Sequence, residues 1–194
     1  MSKPFSQACE NNKGPILEVL KRYFTHSTKI LEIGSGTGQH GVHFAAHLPH
    51  LSWQMSDALN NHKGINQWIA AYPQANIHAP ISFVVGQDPW PGIDVQSVFS
   101  ANTAHIMQKH ECKLMMGLIA KNLPSGGIFC QYGPFTQDGQ FNAQSNADFD
   151  LQLKSNGYGG IRDISELRYW GQGLRLVELI DMPANNLCLV WQKH

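Results

Sequence analysis

Neither sign of charge is in excess in this sequence: 14 lysines and arginines stand against 14 aspartates and glutamates, for a formal net charge of +0 at pH 7. That balance offers no electrostatic footprint for a nucleic-acid backbone or an anionic membrane surface, so neither is expected as a partner. Apolar runs are short, and none approaches the roughly 20 residues that cross a bilayer. The opening MSKPFSQACENN lacks the apolar centre of a secretion signal, and a cytoplasmic location is the expectation. Cysteine is scarce and unpaired in pattern: Cys9, Cys112, Cys130 and Cys188 form no C-x-x-C motif and read as reduced, mostly buried thiols. Fixed-period repeats, charge blocks and low-complexity tracts are missing too, which removes solenoid and linker readings. What remains is a chain of 194 residues, 42% of them hydrophobic, read as one domain over 1–194 around a single core.

GPILEVLKRYF (Gly14 to Phe24) sets Ile16, Leu17, Leu20 and Phe24 at helical spacing. With Pro15 in the first turn, it predicts a helix inside a leading segment 1–28. KILEI reads as a buried strand, Gln39 to His47 as a helix, LSWQMSD as a strand ending in Asp57, and GINQWIAAY as a helix ended by Pro73. ISFVV (Ile81 to Val85), VQSVFSA (Val95 to Ala101) and GIFCQY (Gly127 to Tyr132) predict three further strands, with a helix over HECKLMMGLIAKNL before the last. Near-continuous apolar strands alternating with helices predict an α/β fold, a mostly parallel sheet with helices on both faces. LRLVELI and LCLVWQ, separated only by DMPANN, leave no room for a crossover helix and predict a C-terminal antiparallel hairpin. The polar stretch 133–173 is too long to be a plain connector.

The first strand runs into E-x-G-x-G-x-G, from Glu32 through Gly34, Ser35 and Gly36 to Gly38. A dinucleotide fingerprint is G-x-G-x-x-G with a pyrophosphate on the helix N-terminus. Here the third glycine comes one residue early and an acid precedes the first. A carboxylate at Glu32 disfavours a pyrophosphate and suits a ligand carrying ammonium and sulfonium charges, which S-adenosylmethionine does. Asp57, at the end of the second strand, stands where an acid meets ribose hydroxyls in either cofactor class. The blander alternative is a tight strand-to-helix turn with Asp57 as a cap.

LEIGSGTGQH resembles motif I of class I S-adenosylmethionine-dependent methyltransferases, whose Rossmann-like fold has seven strands and a terminal hairpin. NKGPILEVL, SANTAHI, QYGPF, SNADFD, GIRDISEL and MPANNL extend the resemblance over nearly the whole chain to one family, domain of unknown function 938. It implies S-adenosylmethionine as cofactor and names no substrate. Two departures stand out. The family pattern has an acid near the end of the third strand, where this chain has Val85 and Gly86 with Asp88 slightly later, and an arginine before the NK pair, where this chain has Asn11.

Methyl transfer from a sulfonium mainly requires the acceptor to be positioned and, where needed, deprotonated, so no fixed triad is expected. The strand ends beyond the fourth and fifth strands are the informative places. They offer His105 as general base, Asn102 as a hydrogen-bonding partner and Tyr132 as an orienting hydroxyl, each with a structural alternative as helix-start, cap or packing residue. Ala101 and Asp88 join the cofactor candidates, and Lys13 is placed to neutralise a cofactor carboxylate if the N-terminal segment closes over the glycines. Residues 133–173, with Arg162, Asp163 and Tyr169, are read as a cover over the acceptor or as a surface helix pair. Trp90 either shields the adenine edge or closes a turn over the core. His40, His43 and His47 share a helix without a joining cysteine or carboxylate, so no metal is expected. The resulting expectation is a methyltransferase for a small oxygen or nitrogen acceptor, against a protein of the same fold that holds the cofactor without turnover and a nicotinamide oxidoreductase.

Overall fold

The computed structural model describes residues 3–194; positions 1 and 2 of the predicted leading segment lie outside it. Two compact units divide at Ser100 and Ala101. The seven-stranded sheet has the strand order Ile77–Ser82 (β3), Ser52–Asp57 (β2), Lys29–Ile33 (β1), Ser97–Ala101 (β4), Ile128–Gly133 (β5), Asn186–Lys193 (β9), Leu174–Met182 (β8), the expected Rossmann-like fold with a terminal hairpin.

In the first unit, α1 (Gln7–Tyr23) is followed by β1 (Lys29–Ile33), α2 (Gln39–His47), β2 (Ser52–Asp57), a short 3-10 turn, α3 (His62–Ala71), β3 (Ile77–Ser82) and β4 (Ser97–Ala101). β1 pairs in parallel with both β2 and β4, and β2 with β3. The first helix begins seven residues earlier than its apolar spacing predicts, because the Ser6 hydroxyl caps it by accepting from the Cys9 amide. Pro15 therefore sits mid-helix, not in the first turn, and supplies no amide to the preceding turn. Packing compensates: Ile16 and Leu20 are fully buried, and the earlier half is tied to α2 through Asn12 and His40.

β3 is likewise displaced from the predicted Ile81 to Val85. Phe83 and Val85 are buried as expected, but in a turn after the strand. The strand itself is an edge strand containing Pro80, a setting in a sheet where a missing amide is cheap, and its register with β2 shifts across that proline. Behind β1 and β2, Phe44, Trp53 and Phe99 stack edge and tilt at centroid distances of 5.3 to 5.9 Å, all fully buried.

The second unit carries α4 (Lys109–Asn122), β5 (Ile128–Gly133), β6 (Phe135–Thr136), α5 (Gln144–Ser155), β7 (Arg162–Asp163), α6 (Ile164–Trp170), β8 (Leu174–Met182) and β9 (Asn186–Lys193). β9 runs antiparallel to both β5 and β8. Every residue of β5 is buried, as are Leu187 to Trp191, so this pair forms the unit's core with Met115, Met116, Ile119 and Leu167. The stretch 133–173 is built from regular elements: β6 and β7 pair in parallel, with α5 between them in the chain and α6 following. The three cysteines at 112, 130 and 188 are buried free thiols, and Cys9 is half-buried.

One close approach is decisive. A Cβ on Gly41, in α2, would stand 2.3 Å from Met55 Sδ and 2.8 Å from Glu32 Oε2. Alanine is the better helix former, yet Gly41→Ala is expected to destabilise by about 1–3 kcal/mol through overpacking. The denaturant midpoint of the variant measures this, and an unchanged or raised midpoint would contradict the packing described.

Candidate functional site

β1 ends in a turn whose glycines all take positive φ: Gly34 at 74°, Gly36 at 56° and Gly38 at 89°. That is a conformation a side chain makes costly. β2 braces the turn from beneath. The Gly34 and Ser35 amides donate to the Ser56 carbonyl at 3.1 and 3.0 Å, the Ser35 hydroxyl accepts from the Ser56 amide, and the Ser56 hydroxyl donates to the Glu32 carbonyl at 2.6 Å. At the tip, Asp57 Oδ2 accepts from the Gly36 amide at 2.6 Å, while Oδ1 takes the Ala58 amide and the Asn61 side chain. Among the described residues nothing lies within 4 Å of the place a Gly36 Cβ would occupy. Bare main chain therefore faces open space next to a half-buried carboxylate.

Glu32 is brought close to these residues but turned inward. It is 2% exposed, and its Oε2 accepts from the Trp53 indole at 2.9 Å. Burial pushes its carboxyl up to about 7, which the Trp53 and Ser35 hydrogen bonds only partly offset and the nearby Asp57 charge reinforces. Asp88 closes the turn after β3 by accepting from the Val84 amide at 2.8 Å. Trp90 packs edge-on against Phe83 in the same segment. Lys13 does not precede the first helix; it lies within it, ion-paired to Glu10 at 2.5 Å. Ala101 is the half-buried last residue of β4.

The second unit gathers Asn102, His105 and Tyr132. Asn102 takes φ 57°, a left-handed conformation asparagine tolerates, and its amide donates to the Tyr132 carbonyl at 2.9 Å. Gly133 follows, and the position of its absent Cβ lies 3.8 Å from His105 Nδ1 and 3.9 Å from Asn102 Oδ1. His105 is 6% exposed and meets the Phe149 ring edge-on at 5.5 Å. Burial depresses its imidazole to about 4, so it is neutral at physiological pH. Tyr132 is buried on β5.

Arg162 is buried and donates from its guanidinium to the Gly159 and Gly160 carbonyls, while the Gly160 amide donates to the His105 carbonyl at 3.0 Å. Asp163 caps α6. Burial works to raise its carboxyl, but hydrogen bonds from Ser165, Gly139 and Thr136 outweigh it and hold it at about 2. Tyr169 is 70% exposed and lines a different cleft, beside α4. Phe149 escaped the sequence reading, because it lies in no periodic pattern that would single it out.

The three α2 histidines do not converge. His40 Nε2 bonds Asn12 Oδ1 at 2.6 Å and stacks on Phe44, while His43 and His47 lie side by side. Among the described residues no group of three metal-ligating side chains forms.

The family model for a protein of unknown function, DUF938, matches residues 3–193. The chain belongs to the DUF938 family. Solved structures resemble it in fold. An O-methyltransferase family 2 protein from Planctomyces limnophilus, in complex with apigenin, is 17% identical at a TM-score of 0.85, covering 96% of this chain and 58% of that one. The mitomycin 7-O-methyltransferase MmcR gives 14% and 0.81 over 96% and 54%, and human N-acetylserotonin methyltransferase in complex with SAM gives 13% and 0.74 over 96% and 58%. This DUF938 chain thus spans little more than half the length of the structures it matches.

The Glu32 carboxyl gives a signed pH dependence. Its folded value is raised, so between about 4.5 and 7 the folded DUF938 chain holds a proton the unfolded chain has lost, and this group's contribution to stability falls as pH rises through that window. Glu32→Gln, which keeps an acceptor for Trp53, is expected to raise the melting temperature at pH 8 by about 5 °C and to change it little at pH 5. Equal shifts at the two pH values would show that the buried carboxyl does not ionise as described.

Proposed function

We propose that this DUF938 protein is an S-adenosylmethionine-dependent methyltransferase that methylates an oxygen or nitrogen of a small acceptor. The observation that carries the reading is the bare positive-φ turn with the Asp57 carboxylate at its tip. The donor set fits the cofactor: main chain open to an approaching ligand at Gly36, and an acid at the end of β2 suited to paired ribose hydroxyls. S-adenosylmethionine, when bound, supplies a methyl group on an already activated sulfonium leaving group. Structures of the same fold are described with SAM, with SAH and with apigenin, which supports the class of cofactor and a small acceptor.

Within the first unit, Gly34, Ser35, Gly36 and Gly38 form the cradle and Asp57 holds the ribose. Asp88 and Ala101 remain candidates for the adenine side, and Lys13 would have to exchange Glu10 for a cofactor carboxylate. Glu32 supports the turn from below, its inward carboxyl accepting from the Trp53 indole. In the second unit, His105 is the residue to take the acceptor's proton, since its neutral ring keeps an unprotonated nitrogen at pH 7. Asn102 offers its side-chain amide to the acceptor, and Tyr132 orients it.

Titration calorimetry with S-adenosylhomocysteine tests the cofactor assignment. Micromolar binding by the wild type and a loss of at least about tenfold in Asp57→Ala is the expected result. No binding by the wild type at high micromolar concentration contradicts it. Once an acceptor is found by screening, His105→Gln is expected to lower kcat by about 10²-fold or more with unchanged S-adenosylhomocysteine affinity. Because His105 gains a proton only near pH 4, its ionisation should leave the wild-type rate flat from pH 5 to 8. A rate that rises through pH 6.5 would show an exposed, ordinary imidazole instead.

A further inference from the structure

The second unit has a cleft of about 480 Å³ beside α4, outside the cluster around Asn102 and His105. Lys113 and Lys121 from α4 and Lys193 from the end of β9 line it, with Tyr169 and Trp170 from the end of α6. No carboxylate is among its lining residues, and none of the three lysines joins an ion pair among the described residues. In a chain of zero formal charge with 14 acidic residues to draw on, three unanswered ammonium groups at one concavity are a local excess. Lys109, by contrast, is satisfied nearby: it is paired with Glu166 and lies 5.7 Å from the centre of the Trp170 ring.

Gly117 adds a separate observation. It lies mid-helix in α4, where glycine costs about 1 kcal/mol relative to alanine. Its φ is not positive and, among the described residues, nothing lies within 4 Å of the place its Cβ would occupy, so neither backbone conformation nor packing demands it. What the missing side chain does is leave the α4 wall of the cleft open.

We propose that this cleft binds a small ligand that joins a planar ring to a phosphate group, the chemistry of a nucleoside monophosphate. A phosphate monoester carries about −1.5 to −2 charges at pH 7, which suits three ammonium groups better than a single carboxylate does. Tyr169 and Trp170 supply ring faces for stacking. The volume lies within the range of small-ligand sites. The cleft is lined by none of the residues of the glycine turn, and the proposal does not depend on the methyltransferase reading.

The test uses the intact chain saturated with S-adenosylhomocysteine, so that the cofactor turn is closed to the probe, or the chain alone if S-adenosylhomocysteine does not bind. Guanosine monophosphate is titrated while Trp fluorescence is followed, with guanosine and inorganic phosphate as parallel probes. The expected result is quenching by the monophosphate at submillimolar concentration, absent in Trp170→Phe, and at least about tenfold weaker binding for guanosine and for phosphate. Lys113→Gln combined with Lys193→Gln should weaken monophosphate binding about tenfold or more, and raised salt should do the same in the wild type. Gly117→Leu, which keeps every charge and favours the helix, should abolish binding without lowering the melting temperature. No binding of the monophosphate below about 10 mM would overturn the proposal, as would binding that survives Gly117→Leu. Equal binding of inorganic phosphate would overturn the ring's part in it.

Discussion

A carboxyl group shut beneath the glycine turn is the constraint on which the first unit depends. Glu32 has no exposure to speak of, and an ionised carboxylate there would be costly without partners. The solution draws on several elements at once. The Trp53 indole donates to it from the neighbouring strand, Ser35 bonds to it from the turn, and Gly41 withdraws its side chain so that α2 can cross the same space. Trp53 is thereby fixed against Phe44 and Phe99, so the polar contact and the aromatic core share one residue. The turn then has little freedom, which is how its amides come to be directed at Asp57 and Ser56.

The second unit solves a parallel problem with main-chain groups. Asn102 leaves β4 in a left-handed conformation and is held there by the Tyr132 carbonyl. His105 is held through its own carbonyl by Gly160, and Gly160 by Arg162, whose buried guanidinium spends its donors on carbonyls. A cation in such a position is a brace for the loop that carries the imidazole. The same burial that orders His105 also keeps it neutral, so position and protonation state have one cause.

Much of this was legible in the residues, and the limits have physical reasons. The short spacing of Gly34, Gly36 and Gly38, the acid at Asp57 and the six-residue gap before the last strand are local signals, and local signals survive into the fold. Pro15 misled because a first-turn proline and a mid-helix proline look alike until the capping role of Ser6 and the Asn12–His40 contact are known. Phe83 and Val85 read as strand since burial and strand apolarity share a pattern; the edge position of β3 and its register shift against β2 explain a strand built around Pro80. The direction of the Glu32 side chain was hidden for a different reason: whether a strand-end carboxylate points up to a ligand or down to an indole is set by Trp53, 21 residues away. Arg162 likewise reads as the lining of an acceptor cover or as part of a surface helix pair until its two glycine partners are placed.

The proposed function depends on the turn from Gly34 to Gly38 being a prebuilt cradle for an adenosyl ligand. Nitrogen-15 amide spectra recorded during titration with S-adenosylhomocysteine test it at the residues concerned. The Gly34, Gly36 and Gly38 amides and the Ala58 amide beside Asp57 are expected to shift together and saturate at one ligand concentration. Saturating shifts elsewhere with these four unmoved would contradict it.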